Sequence, residues 1–157
     1  MTDKIQHFWQ EYLSTLAPDH PHHHMTYEAW AFGDTKRMAN VLGLLVRDGP
    51  KRATTASLWA CEVENFPLPE VGDLSIVLDG QGDPLCIIEC REILIKPFNE
   101  VDAEFAFDEG EGDRSLAYWQ EAHRDFFMRS LPVLGLEFAE DMPVVCERFE
   151  LLYPPKP

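Results

Sequence analysis

The chain has 157 residues, of which 45% are hydrophobic and 26% are charged. This length and composition suit one domain with one hydrophobic core, and they exclude a chain that is disordered by composition. The formal net charge of −15 argues against a broad phosphate-binding surface, because affinity for nucleic acid depends on clustered lysine and arginine. A small positive cleft remains compatible with it, since several basic residues fall in one short stretch: Lys36, Arg37, Arg47, Lys51 and Arg52.

The chain shows no sign of membrane insertion or export. No apolar run reaches membrane-spanning length, and the first residues lack the basic-then-apolar pattern of a signal peptide. We therefore expect a soluble cytoplasmic protein. The cysteines form no C-x-x-C pair, which favours buried free thiols over a disulfide or a metal site. They are Cys61, Cys86, Cys90 and Cys146.

The first third of the chain predicts three helices separated by loops. Apolar residues at helical spacing indicate an amphipathic helix from Thr2 to Leu16, which Pro18 ends. The segment from His20 to His24 is predicted as a solvated loop. A short helix is expected from Tyr27 to Phe32, and a longer one, capped by Asp34, from about Thr35 to Asp48.

The rest of the chain predicts a central hairpin between short helices. A helix is expected from Ala56 to Val63. A strand follows at Leu74–Leu78, then a turn rich in Gly and Asp, and a long return strand from Pro84 to about Phe98 with a bulge at Arg91–Glu92. The remaining expected elements are a helix at Asn99–Phe107, an acidic glycine-rich loop at Asp108–Ser115, a helix at Leu116–Leu134, a strand at Met142–Tyr153 and a tail at Pro154–Pro157.

This order predicts the α+β class, with a small curved sheet or barrel surrounded by helices. The alternation that produces parallel βαβ units is not evident in the sequence. No internal repeat or linker divides the chain, so residues 1–157 are predicted to form a single domain. Residues 2–17 would form a helical segment packed on a barrel core of about residues 27–153.

The stretch from Gly49 to Thr55 is the strongest candidate for a functional segment. Gly49-Pro50 ends the preceding helix, because glycine tolerates a left-handed cap and proline cannot continue the helix. Lys51 then precedes Thr54 by three residues, so that both side chains could face one pocket. Lysine can act as a base or bind anions, and threonine can act as a nucleophile.

The order of these features resembles the ASCH domain family. Gly49-Pro50-Lys51-Arg52-Ala53-Thr54 matches the G-x-K-x-x-T signature of that family, and Val71-Gly72-Asp73-Leu74 resembles the entry to its barrel. The block from Glu109 to Leu116, followed by Trp119 and His123, resembles the glycine-acid block of the longer bacterial members. Val145-Cys146-Glu147-Arg148-Phe149 resembles their closing strand.

The resemblance implies a small PUA-like β-barrel and a role connected with nucleosides or RNA. Small bacterial members hydrolyse N(4)-acetylcytidine with a lysine, a threonine and a later glutamate, which implicates Lys51, Thr54 and Glu111 here. Glu109 is the alternative acid. Arg52, Arg114, Ser115 and Glu109 are expected to bind substrate, and Ala56 stands where small members can carry an arginine. No cofactor and no metal are expected.

Two alternative hypotheses place the function in the same cleft. In the first the chain is an RNA-binding module, and in the second it is a metal-independent ribonuclease. The expected partner is a nucleoside or single-stranded RNA and not a membrane, and the oligomeric state, monomer or homodimer, stays open. In the amidohydrolase hypothesis Thr54 attacks the acetyl carbonyl, Lys51 takes its proton, and Glu111 orients Lys51 or protonates the leaving amine. His123 is predicted to be a satisfied, partly buried side chain.

Overall fold

The computed structural model describes residues 2–155, so Lys156 and Pro157 of the predicted tail lie outside the described residues. No helix in the described part of the chain combines the length and apolar character that a membrane span needs. The helices are α1 (Thr2–Ser14), α2 (Lys36–Arg47), α3 (Leu58–Val63), α4 (Ala103–Glu109) and α5 (Leu116–Ser130). The strands are β1 (Glu28–Trp30), β2 (Ala53–Ser57), β3 (Leu74–Leu78), β4 (Pro84–Pro97) and β5 (Pro143–Tyr153).

The strands belong to one sheet in the order β1-β3-β4-β5-β2. β3 and β4 form the predicted antiparallel hairpin, and the register shift between them falls at Val77/Leu78. β2 pairs antiparallel with β5, with Thr55 opposite Cys146. β1 pairs parallel with β3, with Ala29 opposite Ile76. This parallel pair was not predicted from the sequence, because β1 is too short to give a period-2 pattern.

The chain divides into two compact units. The first comprises the residues up to Gly49, Gly72–Glu89 and the residues from Glu150 onward. Its core forms where the apolar face of α1 packs on the hairpin, and its buried members are Trp9, Tyr12, Leu13, Leu74, Ile76 and Ile87. In the segment predicted as a histidine loop, Pro21–His24 form a 3₁₀ turn, and His22 Nδ1 lies 2.7 Å from the Tyr12 hydroxyl.

The second unit comprises Pro50–Val71 and Cys90–Phe149. Its core lies between α4, α5 and strands β2 and β5, and it is rich in aromatic rings. Phe98 stacks on Trp119 with ring centroids 5.2 Å apart and meets Phe127 edge-on. Further buried members are Ala53, Val101, Phe105, Ala106, Leu131, Met142, Val144 and Cys146. This unit contains the whole Lys51–Ser115 candidate site.

The predicted Tyr27–Phe32 helix is a strand, whereas the predicted Ala56–Val63 helix is present from Leu58 to Val63. Glu28–Trp30 form β1, and the start of the predicted Ala56–Val63 helix belongs to β2. Both strands pair with segments at least 45 residues further along the chain. Glu28 of β1 lies opposite Ser75, and Ala53 of β2 lies opposite Arg148. Tertiary pairing therefore overrides the local spacing of apolar residues.

Several element ends are shifted because side-chain caps lie at other positions than expected. Thr35, not Asp34, caps α2 by accepting a hydrogen bond from Met38 N–H. Asp102 caps α4, so this helix begins at Ala103 and not at Asn99 as predicted. At its other end α4 reaches further than predicted and includes Glu109, where the left-handed Gly110 ends it, while α5 ends at Ser130 before Pro132. All four cysteines are free, as predicted, and three of them are buried.

Candidate functional site

Lys51 is a fully buried lysine that follows the Gly49-Pro50 turn and precedes β2. Only 1% of its surface is exposed. Its Nζ donates to the carbonyl oxygen of Ala53 at 2.8 Å, to Glu111 Oε2 at 2.7 Å and to Glu109 Oε1 at 3.4 Å. A lysine that donates three hydrogen bonds is an ammonium ion. The structure therefore places a buried positive charge between two carboxylates.

Glu109 is the last residue of α4 and lies at the centre of the cluster. Its Oε1 faces Lys51 and, at 3.2 Å, His123 Nε2. Its Oε2 accepts from Thr55 Oγ1 at 2.8 Å and from the Trp119 indole N–H. Burial alone would raise the pKa of Glu109, but the charges of His123 and Lys51 and these hydrogen bonds outweigh it and hold that pKa well below its usual range. Glu109 is thus a saturated, ionised carboxylate.

Glu111 is the second acid and lies in the turn between α4 and α5. Its side chain is 17% exposed, against 2% for Glu109. The turn passes over Lys51 at close range, because Gly110 is left-handed with φ of +71° and a Cβ there would lie 2.8 Å from Lys51 N and Cα. Only glycine fits both conditions. The sequence left open whether Glu109 or Glu111 is the functional acid, and the structure places both within hydrogen-bonding distance of Lys51.

His123 lies one turn after Trp119 on α5 and connects that helix to Glu109. Its Nδ1 is 2.8 Å from the Trp119 carbonyl oxygen, and its ring stacks on the Trp119 indole with centroids 4.3 Å apart. Burial would lower the pKa of His123, but the charge of Glu109, its hydrogen bond and the charge of Glu111 raise it above its ordinary value. The prediction that His123 is a satisfied, partly buried side chain agrees with these contacts, and the ring is buried more deeply than predicted.

The two adjacent threonines of β2 lie on opposite faces of the strand, because successive side chains alternate. Thr55 shares its face with buried Ala53 and Ser57, and it makes the contact with Glu109. Thr54 shares the other face with exposed Ala56. The structure thus brings Lys51, Glu109 and Glu111 together with Thr55 rather than with Thr54. Thr54 as nucleophile stays a prediction.

The predicted substrate-binding residues lie around this cluster with structural partners of their own. Arg52 donates from its guanidinium to the Lys51 carbonyl oxygen at 2.6 Å. Arg114 adopts φ of +67°, donates to the Phe107 carbonyl oxygen and lies 3.5 Å above the Phe107 ring. The Ser115 hydroxyl caps α5 by accepting from Tyr118 N–H at 3.1 Å. Their role in binding a substrate stays a prediction.

Sequence reasoning did not select three members of the cluster: Thr55, Trp119 and His123. The spacing of Trp119 and His123 by four residues places both on one face of α5, which was a usable signal. For Thr55 the signal was the alternation of β2, which was hidden because that strand was not predicted. A strand beginning at Ala53 would have placed Thr55, and not Thr54, on the buried face.

One oxygen or nitrogen each from Glu109, Glu111 and His123 lie within 4.8 Å of one another, a separation that a metal ion would need. The Lys51 ammonium already lies within hydrogen-bonding distance of both carboxylates. It supplies the positive charge that a metal would bring. We therefore assign no metal to this cluster and treat it as an ion-pair site.

These observations define an α+β domain with a buried lysine–carboxylate cluster. A family model of the ASCH domain matches residues 28–153. The chain is similar to the crystal structure of an ASCH domain from Lactobacillus crispatus JV V101, with 38% identity, 97% of this chain and 96% of that chain covered, and a TM-score of 0.88. A protein from Enterococcus faecalis V583 gives 38% identity, 96% and 89% coverage and a TM-score of 0.82. None of the curated proteins matches.

The chain belongs to the ASCH domain family. The predicted family and the α+β fold of the PUA-like ASCH type are confirmed. The PUA-like fold is of an RNA-binding kind, which agrees with the broad expectation of a nucleoside or RNA partner.

Proposed function

We propose that this protein is an amidohydrolase that removes the acyl group from N(4)-acetylcytidine-type substrates. The observation that carries the proposal is the Lys51 ammonium, buried between Glu109 and Glu111 beside the hydroxyl of Thr55. A buried cation that is hydrogen-bonded to ionisable groups is typical of sites that stabilise developing negative charge. The family supports a nucleoside or RNA substrate.

Lys51 is the electrophilic group in this proposal. Its three N–H groups already have acceptors in the free protein, so it holds no lone pair with which to take a proton. This favours a different role from the base expected from sequence. When the acyl carbonyl of a substrate approaches, the ammonium can turn one donor toward the oxygen and stabilise the tetrahedral intermediate.

Glu111 is the proton-transfer group. It is the more exposed of the two acids and lies 2.7 Å from Lys51, while Glu109 is saturated with donors. In the first step a threonine hydroxyl attacks the acyl carbon and Glu111 accepts its proton. Collapse of the intermediate breaks the C–N4 bond, and Glu111 returns the proton to the leaving amine. Water then hydrolyses the acyl-enzyme, which releases acetate.

The attacking hydroxyl comes from one of two neighbours. Thr54 is implied by the family signature, and Thr55 is the one in contact with the cluster. Its hydrogen bond to Glu109 orients the Thr55 hydroxyl, but a carboxylate with a strongly lowered pKa is a weak base. Separate alanine variants of the two threonines therefore decide between nucleophile and positioning group.

The test is release of cytidine from N(4)-acetylcytidine, followed by chromatography. We expect turnover by the wild type and a loss of about 100-fold or more in Lys51→Met and Glu111→Gln, the usual size of such electrostatic contributions. Glu104→Gln is the matched control, because the Glu104 side chain is 84% exposed and 3.8 Å from Arg148. Full activity of Lys51→Met would exclude the mechanism.

The alternative function is RNA binding or metal-independent RNA cleavage by the same cluster. The PUA-like fold favours it, while the net charge of −15 weighs against it. Arg52 and Arg114 would then hold phosphate and Lys51 would stabilise a phosphorane. Wild-type protein that leaves acetylcytidine intact but binds or cleaves a labelled single-stranded RNA would favour this alternative.

A further inference from the structure

The two ring nitrogens of His123 both face hydrogen-bond acceptors. Nδ1 lies 2.8 Å from the Trp119 carbonyl oxygen. A carbonyl oxygen has no hydrogen to donate, so Nδ1 must carry the proton of this hydrogen bond. In a neutral imidazole the other nitrogen, Nε2, would then be bare.

Nε2 lies 3.2 Å from Glu109 Oε1, and the state of that carboxylate decides the proton on Nε2. Glu109 also accepts from Lys51, Thr55 and Trp119. A carboxyl group that accepts from these three donors, one of them an ammonium ion, is an ionised carboxylate, and an ionised carboxylate only accepts. A bare Nε2 would direct a lone pair at it. A favourable contact therefore requires a second proton on His123.

We infer that His123 is an imidazolium at neutral pH and acts as a positioning residue, which holds Glu109 and through it the Lys51 ammonium. The cluster then contains two cations, Lys51 and His123, and two anions, Glu109 and Glu111. Such balance fits their burial, since an unpaired buried charge is costly. The protonation of His123 stands on geometry alone, whereas its importance for Lys51 in catalysis rests on the proposed function.

The charged neighbours of His123 come from three segments. Glu109 ends α4, Glu111 lies in the following turn, and Lys51 precedes β2. On β5, burial raises the pKa of the Cys146 thiol to about 12, so this group is neutral in the relevant range. The raised pKa of His123 agrees with the excess of negative charge that the ring meets directly.

Loss of the His123 proton would change the cluster in a defined way. Glu109 would then keep the Lys51 ammonium but lose the positive charge of His123, and the lone pair on Nε2 would repel Oε1. Glu109 would then move away from the ring. Because Oε2 of the same carboxylate accepts the Trp119 indole N–H, the proton signal of that indole reports the movement.

The first experiment is NMR spectroscopy of the ring nitrogens of the six histidines, over about pH 5.5 to 9.5, on wild type and on His123→Gln for assignment. We expect His123 to keep the imidazolium signature on both nitrogens at pH 7.5. The Trp119 indole proton, assigned with Trp119→Phe, should shift in step with His123. A neutral His123 at pH 7.5 would overturn the inference.

A pair of variants tests positioning apart from charge. The Gln side-chain amide can replace the Nε2–H donor, so His123→Gln should keep the Trp119 indole proton close to its wild-type position. His123→Leu should move it toward the value of a free indole. Equal positions in both variants would overturn the positioning role. Where His123→Leu does not fold, the wild-type indole titration decides the same question.

The outcome for acetylcytidine is separate from these signals. Without turnover by the wild type, the proposed function fails while the NMR result still decides the state of His123. With turnover, the rate should fall as pH rises through the folded-state pKa of His123, and this limb should be absent in His123→Gln. If the His123→Gln variant shows the same fall in rate at high pH, His123 has no positioning role in catalysis.

Discussion

The chemistry of this domain depends on a few ionised side chains that are removed from water. The side chains of Lys51 and Glu109 are only 1% and 2% exposed. Each of them nevertheless makes several hydrogen bonds inside the protein. Removing a charge from water costs folding free energy, and removing one partner of a buried ion pair destabilises the fold strongly because the other charge is left uncompensated. The cluster is therefore built for the placement of charge, and its members should be sensitive to single substitutions.

We expect Lys51→Met to destabilise the fold by about 3–5 kcal/mol, the usual cost of leaving a buried charge without its partner. Methionine replaces the aliphatic part of the side chain but not the ammonium. The measurement is urea unfolding followed by tryptophan fluorescence. Lys4→Met makes the same change in an exposed pair, where Lys4 lies 3.1 Å from Asp83, and should cost less than about 1 kcal/mol. Equal costs in the two variants would contradict the buried ion pair.

The raised pKa of His123 predicts a pH dependence of stability. From the ordinary value of 6.5 up to the folded-state pKa, the native protein keeps a proton that the unfolded chain has lost. The stabilisation is thus complete below 6.5, and it declines as pH rises through this window, by up to about 1.4 kcal/mol per pH unit. We expect the difference in unfolding free energy between wild type and His123→Gln to show this decline. A difference that is constant or grows with pH would contradict it.

At the scale of elements, the site depends on how the end of α4 meets the segment before β2. Asp102 caps α4 through Phe105 N–H, and Gly110 ends it in a left-handed conformation. Arg52 N–H donates to the Asp108 carbonyl oxygen at 2.8 Å, which ties the last turn of α4 to the start of β2. Glu109 and Lys51 meet because these two backbones approach closely.

Gly110→Ala tests this close approach. The added Cβ would lie 2.8 Å from Lys51 backbone atoms, so we expect separation of the two segments, a large loss of activity and a substantial loss of stability. Gly135→Ala is the control, because Gly135 has a similar φ of +76° but no atom within 4 Å of the added Cβ. The shared backbone strain cancels, and the difference in unfolding free energy should be about 1–3 kcal/mol. No difference between them would mean that the contact is unimportant.

On the scale of the whole molecule, the chain carries a net charge of −15, whereas the Lys51 cluster balances its anions with cations. The overall field repels polyanions, while a neutral nucleoside is indifferent to it. This contrast favours a small substrate over a long RNA. It also means that binding of RNA, if present, must depend on a local cleft.

We expect no saturable binding of a labelled single-stranded RNA by micromolar protein at about 0.15 M salt, because few phosphate contacts are available to release counterions. Turnover of acetylcytidine should change little between low and high salt, since the substrate carries no charge. Fluorescence anisotropy and the chromatographic assay measure the two quantities. Tight binding with a steep salt dependence would favour the RNA-binding alternative.

The elements with strong local sequence signals could be predicted from the sequence. α2, α5 and the β3–β4 hairpin follow from apolar periodicity and turn residues, and the G-x-K-x-x-T signature and the Glu109–Leu116 block led to the family. The sequence did not reveal β1 and β2, since each is short and pairs with a distant strand. As a result the face of Thr55 was not foreseen, and Thr54 alone was considered.

The sequence by itself therefore determined the family, the α+β class and the candidate lysine and acids, because these depend on residue types at short spacing. Only the tertiary structure decided that Lys51 lies between both glutamates, that Thr55 and not Thr54 contacts Glu109, and that His123 completes the cluster. Their separations in the chain reach 60 residues. Contacts of that kind are set by the packing of α4 and α5 against β2, which no local pattern encodes.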